Sequence, residues 1–242
     1  LRRHRHPPSS CAATLPHPPA VRHLLPRAAR SRVRALPPYS PLMTPTSSAR
    51  TLSRVVGTDF GRNTPLGHYC ATIEARLRER RNAIRRMGEW DYFDALNGRL
   101  GCPVDDFTVP SHWSRKHMRS MGRVAQLAVA ASERALADAG LLGDPRITDG
   151  RMGVAYGSSG GSIEPARTVG NMLETGSMQG VTATSYIQMM AHTTAVNVGV
   201  FFGLKGRVIT TSSACTSGSQ AIGYGYEAIQ QGKQTLMLCG GA

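Results

Sequence analysis

Residues 207–242 read RVITTSSACTSGSQAIGYGYEAIQQGKQTLMLCGGA, and the rest of the chain can be arranged around them. Val208, Ile209, Thr210 and Thr211 form a short β-branched run of the kind that favours a strand. Ser212, Ser213 and Ala214 then turn the chain, and Cys215 follows. Residues 216–231 are predicted as a helix closed by Gly232, with Ala221, Ile222, Ala228 and Ile229 on its apolar side. Residues 235–239 are predicted as the next buried strand. Cys215 therefore falls at a strand-to-helix elbow, at the N-terminus of a helix lined with small residues.

That position is chemically useful. The leading N–H groups of a helix lack intrahelical partners and carry the positive end of its dipole. A thiol placed there ionises more readily, and the thiolate is the nucleophile. The same N–H groups can stabilise an oxyanion on an attacked carbonyl. Ala214, Gly218, Ser219 and Ala221 leave room for a thioester to approach closely. Free cysteines are also commonly just buried, and spacing alone leaves both roles open for Cys215.

SSACTSG, followed by a small-residue helix and then GKQTLMLCGGA, resembles the nucleophile region of the β-ketoacyl-[acyl-carrier-protein] synthases of KAS I/II type. These are condensing enzymes of fatty-acid and polyketide synthesis in the thiolase-like superfamily. The resemblance runs from about Arg54 to Ala242. It implies an α/β chain with the N-terminal half of a thiolase-like layered α/β/α/β/α fold. It also implies a reaction. Cys215 takes an acyl group from an acyl-carrier-protein thioester, its backbone N–H forming part of an oxyanion hole. A decarboxylating Claisen condensation with malonyl carrier protein follows. The partner so implied is acyl carrier protein, which brings its own phosphopantetheine; no resident metal or redox cofactor is implied, and the complete protein is expected to be a homodimer. The family's two catalytic histidines, its second-half lysine and its gating loop lie beyond Ala242, so a chain ending there is expected to be inactive by itself. Two alternatives stay open: a thiolase-type acyltransferase using coenzyme A, and a non-catalytic partner subunit of the chain-length-factor kind. SACTSG counts against the first and Cys215 against the second.

Composition sets the outer bounds. The 242 residues suffice for one sizeable core. The formal charge of +14 is unevenly spread, because residues 1–50 hold nine Arg and no acid, leaving about +5 for the remainder. No interleaved aromatics accompany the basic tail, which argues against nucleic acid. Residues 1–50 are rich in Pro, Arg, His and Ala without an amphipathic period, and are expected to be disordered. Residues 1–42 read as upstream or artefactual sequence ahead of Met43, with an organelle transit peptide as the alternative. The expected compartment is the cytoplasm, or a plastid or mitochondrion if that leader is genuine. Cys11, Cys70, Cys102, Cys215 and Cys239 show no metal spacing and suggest reduced thiols.

Along residues 54–67, RVVGTDFGRNTPLG resembles the family's first strand and glycine turn, with three departures: Gly57, Asp59 and Asn63. Residues 66–80 are predicted as a helix with a basic end. Residues 85–106, with Trp90, Tyr92, Phe93, Leu96 and Leu100, are predicted as a packed loop. The adjacent acids Asp105 and Asp106 would point different ways, as surface or cap residues. His112, His117, Arg115, Lys116 and Arg119 form a basic cluster, either a solvated helix start or a contact for an acidic carrier protein. Residues 122–140 give the clearest helix, striped by Val124, Leu127, Ala128, Ala131, Ala135 and Leu136. In the resembling family this helix lines the acyl pocket, which nominates Val129 as an acyl contact beside core packing; Ala214 is nominated as a substrate contact on the same footing. Residues 152–156 are predicted as a strand. The following GSSGGS lacks both the GxGxxG pattern and a Walker lysine, so no nucleotide is expected. Residues 182–206 are predicted as one further helix, in which His192 is a capping or buried histidine rather than a base for Cys215.

Overall fold

The computed structural model describes residues 52–242; the expected disorder of residues 1–50 lies outside them. The centre is a three-stranded parallel sheet, whose strands in chain order follow two short ones at the periphery. These two, β1 (Arg85–Arg86) and β2 (Leu100–Gly101), pair antiparallel. The central strands are β3 (Met152–Gly157), β4 (Val208–Thr211) and β5 (Leu236–Gly241), in the order β4-β3-β5. The helices are α1 (Cys70–Arg78), α2 (Arg115–Met118), α3 (Arg123–Asp138), α4 (Ile163–Thr175), α5 (Ala183–Met189), α6 (Thr193–Phe202) and α7 (Ser217–Gln230).

Strand β3 explains the layering. It is buried throughout, as a central parallel strand covered on both faces must be. Its residues alternate large and small. Met152, Val154 and Tyr156 join the main core with α3 and α6, including Ala128, Val129, Ala195 and Val198. Gly153, Ala155 and Gly157 point to the other face, where α7 packs. Small residues on that face let α7 lie close against the sheet.

Helix α3 is apolar on two sides. Ala125, Ala128, Val129, Ser132 and Leu136 are buried. The predicted stripe is turned partly away from them: Val124, Leu127, Ala131 and Ala135 instead wall a cavity of ≈ 750 Å³ bounded by residues 54–64, α7 and β5.

Several expectations are corrected. No strand forms at residues 54–63; β3 and β5 pair directly, from Met152↔Leu236 to Gly157↔Gly241. Placing this segment inside a parallel sheet would bury the Asp59 carboxylate without a partner, and Gly57 supplies no side chain to pack. The segment runs instead along the outer wall of the cavity. There Gly61 abuts the Ala131 carbonyl, and Asn63 donates to Leu127 O at 2.6 Å while Arg134 donates to Asn63 Oδ1. Asn63 is thus held by α3.

The helix predicted over 66–80 begins only at Cys70, because Thr64 and Gly67 first exchange backbone bonds in a tight turn. The single helix predicted over 182–206 is two. Met190 is extended, with ψ 130°, and Thr193 Oγ1 caps the break by donating to Ile187 O and Met190 O. The region 85–106 is less packed than predicted: Met87 is buried, but Tyr92 is 83 % exposed, and Arg86–Asp91–Arg99 ion pairs hold the loop. Helix α4 was not foreseen. Among the described residues no helix is long and apolar enough to cross a membrane.

Candidate functional site

The elbow forms where β4 ends and α7 begins. Cys215 is exposed, one residue before the N-cap Thr216. Ala214, beside it, is also exposed and has φ +50°, a left-handed conformation that a residue with a Cβ rarely adopts. Thr216 N–H donates to Ser213 O at 3.2 Å and Ser217 N–H to Ala214 O at 3.1 Å. The first N–H returned along the helix is that of Gln220, to Thr216 O at 2.9 Å. Gly218 and Ser219 therefore present N–H groups without intrahelical acceptors, next to Cys215.

The elbow is seated on the sheet by residues that lack side chains. A methyl group on Gly157 would lie 2.3 Å from the Ser217 carbonyl, and one on Gly241 would lie 2.7 Å from the Gly218 Cα. The start of α7 thus rests directly on the C-terminal ends of β3 and β5. Hydroxyls lock this contact. Thr211 Oγ1 donates to Ser217 O at 2.7 Å, and Ser213 Oγ donates to Gln220 Oε1 at 2.8 Å.

The side of α7 facing the sheet is built from Ala221, Gly225 and Ala228, which are buried. Ile222, assigned by periodicity to that side, is 58 % exposed and lines the mouth of the cavity. Two of the titratable groups on the cavity wall, Cys239 and Tyr156, are perturbed by burial. Burial pushes the Cys239 thiol up to about 11 and the Tyr156 phenol up to about 12, the latter against a hydrogen bond to Ser132. Cys239 is thus a protonated, packed thiol, in contrast to the exposed Cys215.

The other nominated residues fall elsewhere. Val129 is fully buried in the core between α3 and α6 and is not on the cavity wall. His192 holds the N-cap position of α6 but is exposed and makes no side-chain cap bond, so it is neither of the two kinds of histidine expected. Asp105 and Asp106 diverge, the first to Arg85 at 2.6 Å and the second to His68 at 3.2 Å. In the GSSGGS loop, Ser162 Oγ accepts from Val124 N–H at 3.1 Å, which caps α3, and Gly161 presses on the Met189 carbonyl. The loop joins α3 to α5 and uses its groups internally.

The basic cluster is organised around α2. Ser114 Oγ accepts from His117 N–H, while His112 Nε2 and Trp113 Nε1 meet the two oxygens of Glu133 at 2.7 and 3.2 Å. Arg115, Lys116 and Arg119 are exposed beside this anchor. What the sequence did not disclose is the hydroxyl lattice of Thr211, Ser213, Thr216 and Ser217. The signal was present as an unusual density of Ser and Thr across a strand–helix junction, where such side chains bond the backbone.

Residues 53–242 match the model of the family described as beta-ketoacyl synthase, N-terminal domain. Nodulation protein E of Rhizobium leguminosarum bv. trifolii is 33 % identical over 193 residues, covering 78 % of this chain and 46 % of that protein. The 3-oxoacyl-[acyl-carrier-protein] synthase 2 of Synechocystis sp. is 30 % identical over 188 residues, covering 78 % and 45 %. A β-ketoacyl synthase structure from Burkholderia phymatum is 62 % identical with a TM-score of 0.72, covering 74 % of this chain and 44 % of its own. The chain thus spans a little under half the length of the curated relatives it matches.

Proposed function

The chain belongs to the β-ketoacyl synthase family, and we propose that it carries the acyl-accepting part of a decarboxylating condensing enzyme, with Cys215 as nucleophile. The observation that carries this reading is the exposed thiol at the foot of α7, on an elbow held against the sheet. The Cys215 thiolate attacks the carbonyl of an acyl-carrier-protein thioester. The oxyanion so formed is met by the Cys215 N–H and neighbouring helix N–H groups. Collapse expels the phosphopantetheine thiolate, which takes up a proton, and leaves an S-acyl enzyme. Malonyl carrier protein then loses carbon dioxide, and its C2 attacks the acyl carbonyl. The C–S bond to Cys215 breaks, releasing the β-ketoacyl carrier and regenerating the thiolate.

The groups that assist decarboxylation are assigned to the part of the full-length protein outside this chain's match. Phosphopantetheine arrives on the carrier, and this chemistry calls for no resident metal or redox centre. Arg115, Lys116 and Arg119 are proposed to receive the acidic carrier, because they are exposed on a segment that Glu133 holds in place. A second copy of the chain is the proposed subunit partner, and the cytoplasm the proposed compartment.

The test is acyl transfer from a radiolabelled acyl carrier protein to the full-length protein, followed by peptide mapping. Label on the Cys215 peptide, lost in Cys215→Ser together with turnover, is the expected result. Label on Cys70, Cys102 or Cys239, or full turnover by Cys215→Ser, would overturn the assignment.

A further inference from the structure

We infer that Ser217 is a positioning residue for Cys215: it holds Ala214 in its left-handed conformation and thereby fixes the direction in which the thiol is presented. This builds on the reading of Cys215 as nucleophile.

Ser217 is 4 % exposed, and each of its polar groups is engaged. Its hydroxyl accepts from Ser213 N–H at 2.9 Å and donates to Ala214 O at 2.7 Å. Its own N–H donates to the same Ala214 oxygen at 3.1 Å. Its carbonyl accepts from Thr211 Oγ1 at 2.7 Å, and Gly157 supports it from below. Ser217 therefore reaches back across Cys215 and grips both residues that precede it, while being anchored to the last residue of β4 and to the end of β3.

A serine acting only as a helix cap would accept from N–H groups two or three residues ahead, inside its own helix. This hydroxyl turns the other way. What it serves is the turn, and the turn contains a strained residue. Ala214 at φ +50° persists only if its surroundings over-determine it. The two donors on its carbonyl, both from Ser217, supply that constraint. Removing the hydroxyl leaves only the Ser217 N–H on that carbonyl and frees the Ser213 N–H; Ala214 then relaxes toward an ordinary φ, and the peptide that follows, carrying Cys215, rotates with it. Among the described residues no side chain covers the Cys215 thiol, so within this chain the turn is what aims it. Its orientation is inherited from the turn.

A coupling between Ser217 and Ala214 follows, which a purely structural serine would not show. Glycine adopts positive φ without strain, so Ala214→Gly removes the need for the grip. In the full-length protein, Ser217→Ala is expected to slow iodoacetamide modification of Cys215 about tenfold. It should lower kcat by a similar factor and leave KM for the acyl carrier within about twofold. Ser217→Ala placed on Ala214→Gly should cost less than about threefold relative to Ala214→Gly alone. If Ser217→Ala alone does not fold, recovery of folding and of rate by Ala214→Gly carries the same meaning. A Ser217→Ala rate within twofold of the parent overturns the inference, and so do effects of the two substitutions that simply multiply, or a double variant that recovers neither fold nor rate. Failure of the nucleophile reading looks different: Cys215 of the unaltered protein would then take no acyl label, whatever Ser217→Ala does to the alkylation rate.

Discussion

Replacing Gly157 by alanine asks whether the end of β3 and the elbow move as one piece. The added carbon would lie 2.3 Å from the carbonyl carbon and oxygen of Ser217 and 2.6 Å from Thr211 Oγ1. Ordinary carbon contacts sit near ~3.5 Å, so one side must give by about 1 Å. Gly157 cannot, because it pairs with Thr211 on one side and Gly241 on the other. The obstructing atoms are helix backbone, so the first turn of α7 has to withdraw and take Cys215 with it. Overpacking of this kind costs about 1–3 kcal/mol, which lowers the Tm. A displacement of about 1 Å near reacting atoms costs up to roughly 100-fold in rate. Gly160→Ala is the control: it lies in the same loop, and nothing stands within 4 Å of its added carbon. Thermal melts and Cys215-dependent turnover of the full-length protein should therefore separate the two variants, with Gly157→Ala impaired in both and Gly160→Ala close to the parent. A Gly157→Ala protein with parental Tm and rate would refute the rigid seat.

Alkaline pH should weaken the fold in a defined window. Burial raises Cys239 from 9.0 to about 11 and Tyr156 from 10.0 to about 12, so across that range the unfolded chain releases protons that the folded chain keeps. Their stabilisation is whole below about pH 9 and is lost as pH rises towards 12, on the order of 2–3 kcal/mol for each group. Urea melts from pH 8 to 11 should show the fall, and Tyr156→Phe should flatten its part above pH 10; a pH-independent midpoint would contradict the burial of both groups. Reversing charge in the basic cluster, Arg115→Glu with Lys116→Glu, should raise KM for an acyl carrier about three- to tenfold with kcat unchanged, and the difference should shrink at high salt. Salt-independent kinetics, or a loss confined to kcat, would place carrier contact elsewhere.

Much of the framework was legible in the chain itself. The elbow was readable because β-branched residues, a Ser/Thr turn and a helix of small residues follow one another within 35 positions, and each preference acts locally. Helix α3 was readable from its period, and β3 forms where residues 152–156 predict a strand. The GSSGGS loop was read as no nucleotide site from its lack of spacing. The structure adds what its groups do: Ser162 caps α3, and Gly161 meets α5. The exposure of Tyr92 was not readable, because no local rule says which neighbours cover an aromatic side chain.

By itself, then, the sequence determined the three central strands and helices α3 and α7, the placement of Cys215 at a strand-to-helix junction and the family to which that junction belongs, since these depend on residue types at short separations. Tertiary structure alone decided three things. The edge of β3 is taken by β5, which leaves Val55 and Val56 outside the sheet. Whether residues 183–202 make one helix or two depended on Thr193 finding the Ile187 and Met190 carbonyls. The conformation of Ala214 depended on Ser217, itself fixed by Thr211 and Gly157 from two different strands. Each outcome is settled by which groups meet after the chain has closed on itself, and the free energy of such contacts belongs to no single segment.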